Sequence, residues 1–283
     1  MEKKVVRNIR FMTNEYTDSQ EILEKARRTI NKNELNFKVV DDDSADIVVP
    51  IGGDGAFLKA FRKTNFNSDL VYVGINTGTI GFLQSADENM LEKTLEVISK
   101  GLEKYRLLPL LDITFKFEDH CEVHKAINEI EVGGCYGKVF DFSQLVNGCY
   151  LHEARASGII ISSSTGSTAV NKSYGGPILM ADGFVVSTIR GIANSPTKKP
   201  YVAQPIVAKS TKIVFPDINK EREKNPSFNR FRNPVYFAID GLVLDNIDQN
   251  NLLSIEVSVS NEKLRTVNFS GLSRIEVIRD KLL

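Results

Sequence analysis

Through its first hundred residues the chain alternates short apolar, β-branched runs with stretches in which apolar residues recur every third or fourth position. Arg7–Met12 reads as a strand, and Ser19–Ile30 sets Ile22, Leu23, Ala26 and Ile30 on one helical face. Phe37–Val40, Ile47–Ile51 and Leu70–Ile75 read as further strands, with Ala56–Lys63 and Asn89–Lys100 as helices between and after them. Alternation of this kind builds a mostly parallel sheet with helices packed on it. Ligands of such folds bind outside the carboxyl ends of the strands, where two glycine-rich turns fall: Gly52-Gly53-Asp54-Gly55 and Gly74–Phe82.

From about Leu107 the pattern changes. Leu111–Phe117, Ala126–Val132, Gln144–Val146, Gly158–Ser162, Lys212–Phe215, Val235–Ile239, Leu253–Val259 and Leu264–Phe269 are short strand candidates separated by turns, the pattern of an antiparallel sandwich or barrel. One helix is expected to interrupt them, from near Ser167 through Lys172, and the charged stretch Asp217–Asn233 reads as a surface loop or disordered tip. The expected fold is therefore α/β plus all-β. A mostly parallel α/β domain at 1–106 is followed by an antiparallel, sandwich-like β-rich domain at 107–262. A C-terminal segment, 263–283, is expected to pack back on the first domain.

Composition narrows the function classes. Over 283 residues, Lys plus Arg and Asp plus Glu both total 36, so the formal net charge is zero and a broad nucleic-acid-binding or membrane-surface role is disfavoured. Met1–Lys4 leads into mixed polar sequence with no long apolar run, and no stretch of about 18 apolar residues occurs, so a soluble cytoplasmic protein is expected. Cys121, Cys135 and Cys149 are an odd, widely spaced set in a chain this large, which fits reduced thiols.

The chemistry concentrates in a few segments. Gly52–Gly55 joins a strand to a helix with one carboxylate, Asp54, at the apex; glycines admit close backbone approach, and the helix start offers unpaired N–H groups to an anion. The alternative is a tight turn with Asp54 as the helix N-cap. The run Ser157–Ser173, followed by Tyr174-Gly175-Gly176-Pro177, ends an isoleucine strand in a cluster of hydroxyls suited to ribose and phosphate, or in a simple capped turn. Asn128-Glu129 is a polar pair inside a strand-like run, either a solvated edge or a pair with one member facing a cleft. Asp240-Gly241 closes Val235–Ile239 and suits an ordinary turn. Three weaker candidates fall away. His120-Cys121-Glu122-Val123-His124 lacks a full set of zinc ligands. Gly133–Val139 misses the spacing and the metal-binding hydroxyl of a phosphate loop. Ser163 and Ser164 have no evident general base.

In order along the chain, Gly52-Gly53-Asp54-Gly55, Gly74–Phe82, Asn128-Glu129, Thr165-Gly166-Ser167-Thr168-Ala169 and Gly175-Gly176-Pro177 closely resemble the bacterial NAD kinases, from about position 46 to 242. The resemblance implies ATP-dependent phosphorylation of the adenosine ribose 2′-hydroxyl of NAD, a divalent metal, expected as Mg²⁺, and a homodimer or homotetramer. It implies Asp54 as the proton acceptor, with Gly53, Gly55, Asn76 and Phe82 beside the substrate. Asn128 and Glu129 would hold the adenosine moiety. Arg155, Ser157, Thr165, Thr168, Ala169, Val170 and Ser173 would surround the dinucleotide, with Asp240 as a further contact. The chain departs from the family pattern at Ala56 (usually threonine), Ser157 (aspartate), Ser164 (proline) and Val170 (tyrosine), so an aromatic ring and a carboxylate that usually touch the dinucleotide are missing. Two other readings remain at this stage. Lipid and sugar kinases of the diacylglycerol-kinase and phosphofructokinase groups resemble the chain at Gly-Gly-Asp-Gly, and the altered substrate loop suits a non-catalytic nucleotide-binding regulator.

Overall fold

The computed structural model describes residues 6–13, 17–102, 104–191, 205–216, 234–269, 271 and 273–282. The chain divides into two compact units, one formed by Met1–Leu108 and Glu262–Leu283, the other by Pro109–Asn261.

The first unit is α/β. Its strands are β1 (Arg7–Thr13), β2 (Phe37–Val39), β3 (Ile47–Gly52), β4 (Val71–Tyr72), β5 (Ile75–Asn76) and β6 (Ala86–Asp87), and its helices are α1 (Thr17–Lys32), α2 (Asp54–Lys63) and α3 (Leu91–Lys100). Among these strands the described pairings are parallel: β1 with β2 and β3, β3 with β4 and β5, and β5 with β6. Strand β3 is buried along its length, as its unbroken apolar run requires of a central parallel strand. Its core joins Ile9, Val49, Ile51, Val73 and Ile75 to Leu91, Leu95 and Ile98 of α3. Helix α2 buries Phe57 and Phe61 beside Tyr72, whose hydroxyl lies 2.6 Å from that of Thr64 and donates to the Asn67 carbonyl at 2.9 Å. At about 1.5–3 kcal/mol for each buried phenyl group, these contacts fix the direction in which α2 leaves the glycine turn. The C-terminal helix Arg274–Leu282 also belongs to this unit.

The second unit is antiparallel. Its strands are β7 (Arg106–Phe117, entering from the first unit), β8 (Cys121–Ala126), β9 (Glu129–Gly134), β10 (Phe140–Val146), β11 (Cys149–Ser163), β12 (Phe184–Gly191), β13 (Ile206–Ala208), β14 (Ser210–Val214), β15 (Val235–Ile239), β16 (Leu242–Val243) and β17 (Leu252–Thr266, whose last residues return to the first unit). Strand β9 lies between β11, with Gly158 opposite Gly133 and Ser162 opposite Glu129, and β15, with Ile239 opposite Ile130. Phe115, Phe142, Ile159, Ile161, Phe184 and Phe237 fill the core. The three cysteines are free.

Several local expectations are corrected. Ala126–Val132 is not one strand: β8 ends at Ala126 and β9 begins at Glu129, because the Asp240 carboxylate takes the backbone N–H groups of Ile127, Asn128 and Glu129. Leu253–Val259 and Leu264–Phe269 belong to the continuous β17 through Thr266; the polar run Ser260–Lys263 between them is strand, not turn. The helix expected over Ser167–Lys172 is a 3₁₀ turn, Gly166–Thr168, followed by the short α4, Val170–Ser173. Leu70–Ile75 divides into β4 and β5. Helix α2 begins at Asp54, and its N-cap is Gly53, so Asp54 is not the N-cap. The loop expected at Asp217–Asn233 and the segment Met1–Lys4 lie outside the described residues.

Candidate functional site

In the first unit, buried β3 runs into Gly52, whose φ of +147° lies where a side chain is strained. The chain turns through Gly53 and enters α2 at Asp54. The Asp54 carboxylate is held by the second glycine loop: Oδ2 accepts the Phe82 N–H at 2.9 Å and Oδ1 the Leu83 N–H at 2.8 Å. Asn76, buried at the end of β5, shapes that loop. Its Oδ1 accepts the Gly78 N–H at 3.1 Å, while Nδ2 donates to the Gly78 carbonyl at 3.0 Å and to Asp87 at 3.2 Å. Gln84 ties the two loops together by donating from Nε2 to the Gly53 carbonyl at 2.8 Å. Asp54, Gly53, Gly55, Asn76 and Phe82 are therefore brought together. A Cβ built on Gly53 or Gly55 meets nothing within 4 Å. Packing does not demand glycine at either position, so its value there is an open backbone next to the carboxylate. Gly53 caps α2 without a side chain, and its carbonyl accepts the Ala56 N–H at 3.0 Å, so the helix N-terminus opens beside the glycines with no side chain covering it.

In the second unit, the Asn128-Glu129 corner is held from two sides. Asp240, at φ +49°, accepts the Ile127 N–H at 2.9 Å, the Asn128 N–H at 2.7 Å and the Glu129 N–H at 3.2 Å. It thus closes its strand as a turn residue and also clamps the corner. From the other side, Ser163 donates its backbone N–H to the Asn128 carbonyl at 2.8 Å and its hydroxyl to the Ile127 carbonyl at 2.5 Å, and its Oγ accepts the Gly166 N–H at 3.0 Å. Gly166 lies so close that a Cβ there would sit 2.1 Å from the Asn128 carbonyl oxygen. The hydroxyl loop is thereby pinned to the corner. Thr168 donates back to the Thr165 carbonyl at 2.9 Å, Ser167 to the Ser164 carbonyl at 2.7 Å, and Ala169 leads into Val170 and Ser173 of α4. Arg155 and Ser157 lie apart, about 16 to 23 Å back along β11 from Ser162 at roughly 3.3 Å per residue. Arg155 forms a two-pronged ion pair with Asp141, at 2.6 and 2.8 Å, and Ser157 donates to the Gly137 carbonyl at 3.1 Å.

Glu129 is the electrostatic anomaly. It is 3% exposed, its Oε2 has no hydrogen-bond partner, and its carboxyl is pushed up to about 8, first by burial and then by the charges of Asp240 and Glu131. A buried acid with an unpartnered oxygen is what a site that receives a hydroxyl-bearing ligand leaves unsatisfied without it.

Sequence reasoning missed Gln84 and Asp87, which no motif marks. It also missed the clamping role of Asp240, for which an aspartate before glycine at a strand end was the available signal. Among the described residues no group of three His, Cys, Asp or Glu is placed to hold a metal ion, and no helix is long and apolar enough to cross a membrane.

The family model described as the ATP-NAD kinase N-terminal domain matches residues 2–102. Over 282 residues, 98% of each chain, the sequence is 29% identical to NAD kinase 2 of Bacillus subtilis strain 168; over 292 residues it is 28% identical to the NAD kinase of Clostridium perfringens strain 13, covering 98% of this chain and 99% of that one. Two solved structures share the fold. Yeast NADH kinase complexed with NADH superposes with a TM-score of 0.76 at 17% identity, covering 98% of this chain and 87% of that one. An NAD kinase from Archaeoglobus fulgidus in complex with ATP gives 0.69 at 18% identity, covering 97% and 98%.

Proposed function

We propose that the chain is a member of the NAD kinase family, to which its first hundred residues and its full-length relatives point, and that it transfers the terminal phosphoryl group of ATP to the adenosine ribose 2′-hydroxyl of NAD, giving NADP. The observation that carries this reading is the Asp54 carboxylate, fixed by two backbone N–H groups beside glycines that leave their surroundings open. Phosphoryl transfer asks little covalent chemistry of a protein; it needs the acceptor hydroxyl and the phosphate chain positioned and the charge neutralised. Asp54 orients the hydroxyl and takes its proton as the bond to phosphorus forms. The N-terminus of α2 and the backbone at Gly53 and Gly55 receive the phosphates. Asn128 and Glu129 take the adenosine part, Glu129 meeting ribose hydroxyls with its unpartnered oxygen, while Asp240 keeps the corner in shape. Thr165, Thr168, Ala169, Val170 and Ser173 border the dinucleotide, with valine in place of an aromatic ring.

Mg²⁺ fits this set only as an ion carried by the phosphates and water, since magnesium needs few protein ligands and the described residues offer no cage. When bound it neutralises charge on the transferring group. A homodimeric or homotetrameric state and a cytoplasmic location complete the proposal. The similarity to NAD kinases along the whole chain favours this reading over a lipid or sugar kinase, and the intact Asp54 clamp favours it over a non-catalytic regulator. Incubating the purified protein with NAD, ATP and Mg²⁺ and reading NADP through an NADP-specific dehydrogenase tests it: NADP accumulates in proportion to protein, and its absence overturns the assignment.

A further inference from the structure

A cavity of about 780 Å³ opens on the first unit and shares no residue with the glycine turns. Its lining includes Arg7 from β1, Lys100 at the end of α3, Lys104 from the following loop and Arg106 from the start of β7, and among the described residues it includes no Asp or Glu. Several other cations of this neutral chain meet carboxylates: Arg10 with Asp43, Arg155 with Asp141, Lys125 with Asp112, Lys116 and Lys212 with Glu256. None of the four cavity cations forms an ion pair with a described residue. Lys100 alone has an ordinary explanation, the negative pole of a helix C-terminus. That reason does not extend to Arg7, from β1, or to Lys104 and Arg106, which lie beyond the helix in the segment leading into β7.

Concentrating four positive groups around one cavity is unfavourable unless something neutralises them. Burial depresses the Arg106 guanidinium, with the charge of Asp54 partly opposing it, and Arg274, itself depressed by burial, is further disfavoured by the charge of Arg106. The walls between the cations are apolar and aromatic, with Tyr105 and Phe269 among them. The volume falls in the range of small-molecule sites.

We propose that this cavity is a second site, binding a multiply charged phosphate chain in the polyphosphate or nucleoside polyphosphate class. Arg7 and Arg106 supply planar forks for phosphate oxygens, and Lys100 and Lys104 supply point charges at the mouth. Tyr105 and Phe269 offer rings for a base when the chain is part of a nucleotide. The kinase reading gives these residues no task; because Arg106 feels the charge of Asp54, the lysine pair and not Arg106 is what separates the two sites.

Calorimetric titration with inorganic tripolyphosphate at low ionic strength, without NAD, tests the proposal. Wild-type protein binds, and the exposed double variant Lys100→Ala/Lys104→Ala binds about tenfold or more weakly with a shallower dependence on salt. Arg106→Gln weakens binding at least as far; if that variant fails to fold, the lysine pair still decides. A parallel titration with ATP separates the two sources: tighter binding of ATP that falls in the double variant identifies a nucleotide, and equal binding identifies the phosphate chain alone. Absence of binding to wild type, or equal affinity in wild type and the double variant, overturns the site. Tripolyphosphate binding lost in the double variant of a protein that forms no NADP would keep this site and remove the kinase assignment; NADP formation with unchanged tripolyphosphate binding would do the reverse.

Discussion

Replacing Glu129 with glutamine tests the electrostatics of the second unit without removing the side chain's shape. In the unfolded chain this carboxyl titrates near its ordinary 4.5, and in the folded protein near 8. The folded state therefore keeps a proton that the unfolded state releases, and raising the pH from 4.5 to 8 favours unfolding. A displacement of about 3.5 units at about 1.36 kcal/mol each makes the penalty about 5 kcal/mol at pH 8 and above, and about 3 kcal/mol at pH 7. Glutamine has no proton to lose. Its amide adds an unsatisfied donor that costs about 1–3 kcal/mol, but it does so equally at every pH, so the slope and not the level carries the test. Thermal unfolding of both proteins from pH 5 to pH 8 is the assay. At roughly 2 to 4 °C per kcal/mol for a domain of this size, wild-type Tm falls relative to the variant by about 10 °C or more across that window. Parallel curves would refute a buried, protonated Glu129.

Other substitutions probe single contacts. Gly166→Ala drives a methyl group into the Asn128 carbonyl, so it lowers Tm and raises the KM for NAD, by several kcal/mol in stability if the loop cannot move; unchanged unfolding would remove the pinning contact. Asp240→Ala strands three buried N–H groups and loses stability by about 3 kcal/mol or more, with a larger effect on KM than on kcat, as chemical denaturation and steady-state kinetics show. Val170→Tyr restores a ring at the start of α4 and tightens NAD binding a few-fold to tenfold in calorimetry; weaker binding by a folded variant would mean that the loop is shaped for valine.

The layout of the first unit was legible because its central strand is apolar and buried along its whole length. Ile47–Ile51 could be nothing but a central parallel strand, and a ligand turn after it follows from the topology. What escaped depended on groups distant in sequence. The break between β8 and β9 is imposed by Asp240, more than a hundred residues away, and no local pattern in Ala126–Val132 announces it. Strand β17 continues through Ser260–Lys263 although polar residues there read as a turn. The Asn128-Glu129 pair was conspicuous as polarity inside an apolar run. That Gly166 presses on its carbonyl, and that Gln84 joins the two glycine loops, are consequences of packing that spacing does not encode.

The central claim rests on Asp54, and comparing turnover with binding in Asp54→Asn tests it most directly. Asparagine keeps the size of the side chain and one acceptor for the two loop N–H groups, but it cannot take the proton of an acceptor hydroxyl. The account predicts that kcat for NADP formation falls about 100-fold or more while the Kd for NAD changes little. A folded variant that keeps more than half of the wild-type kcat would contradict it.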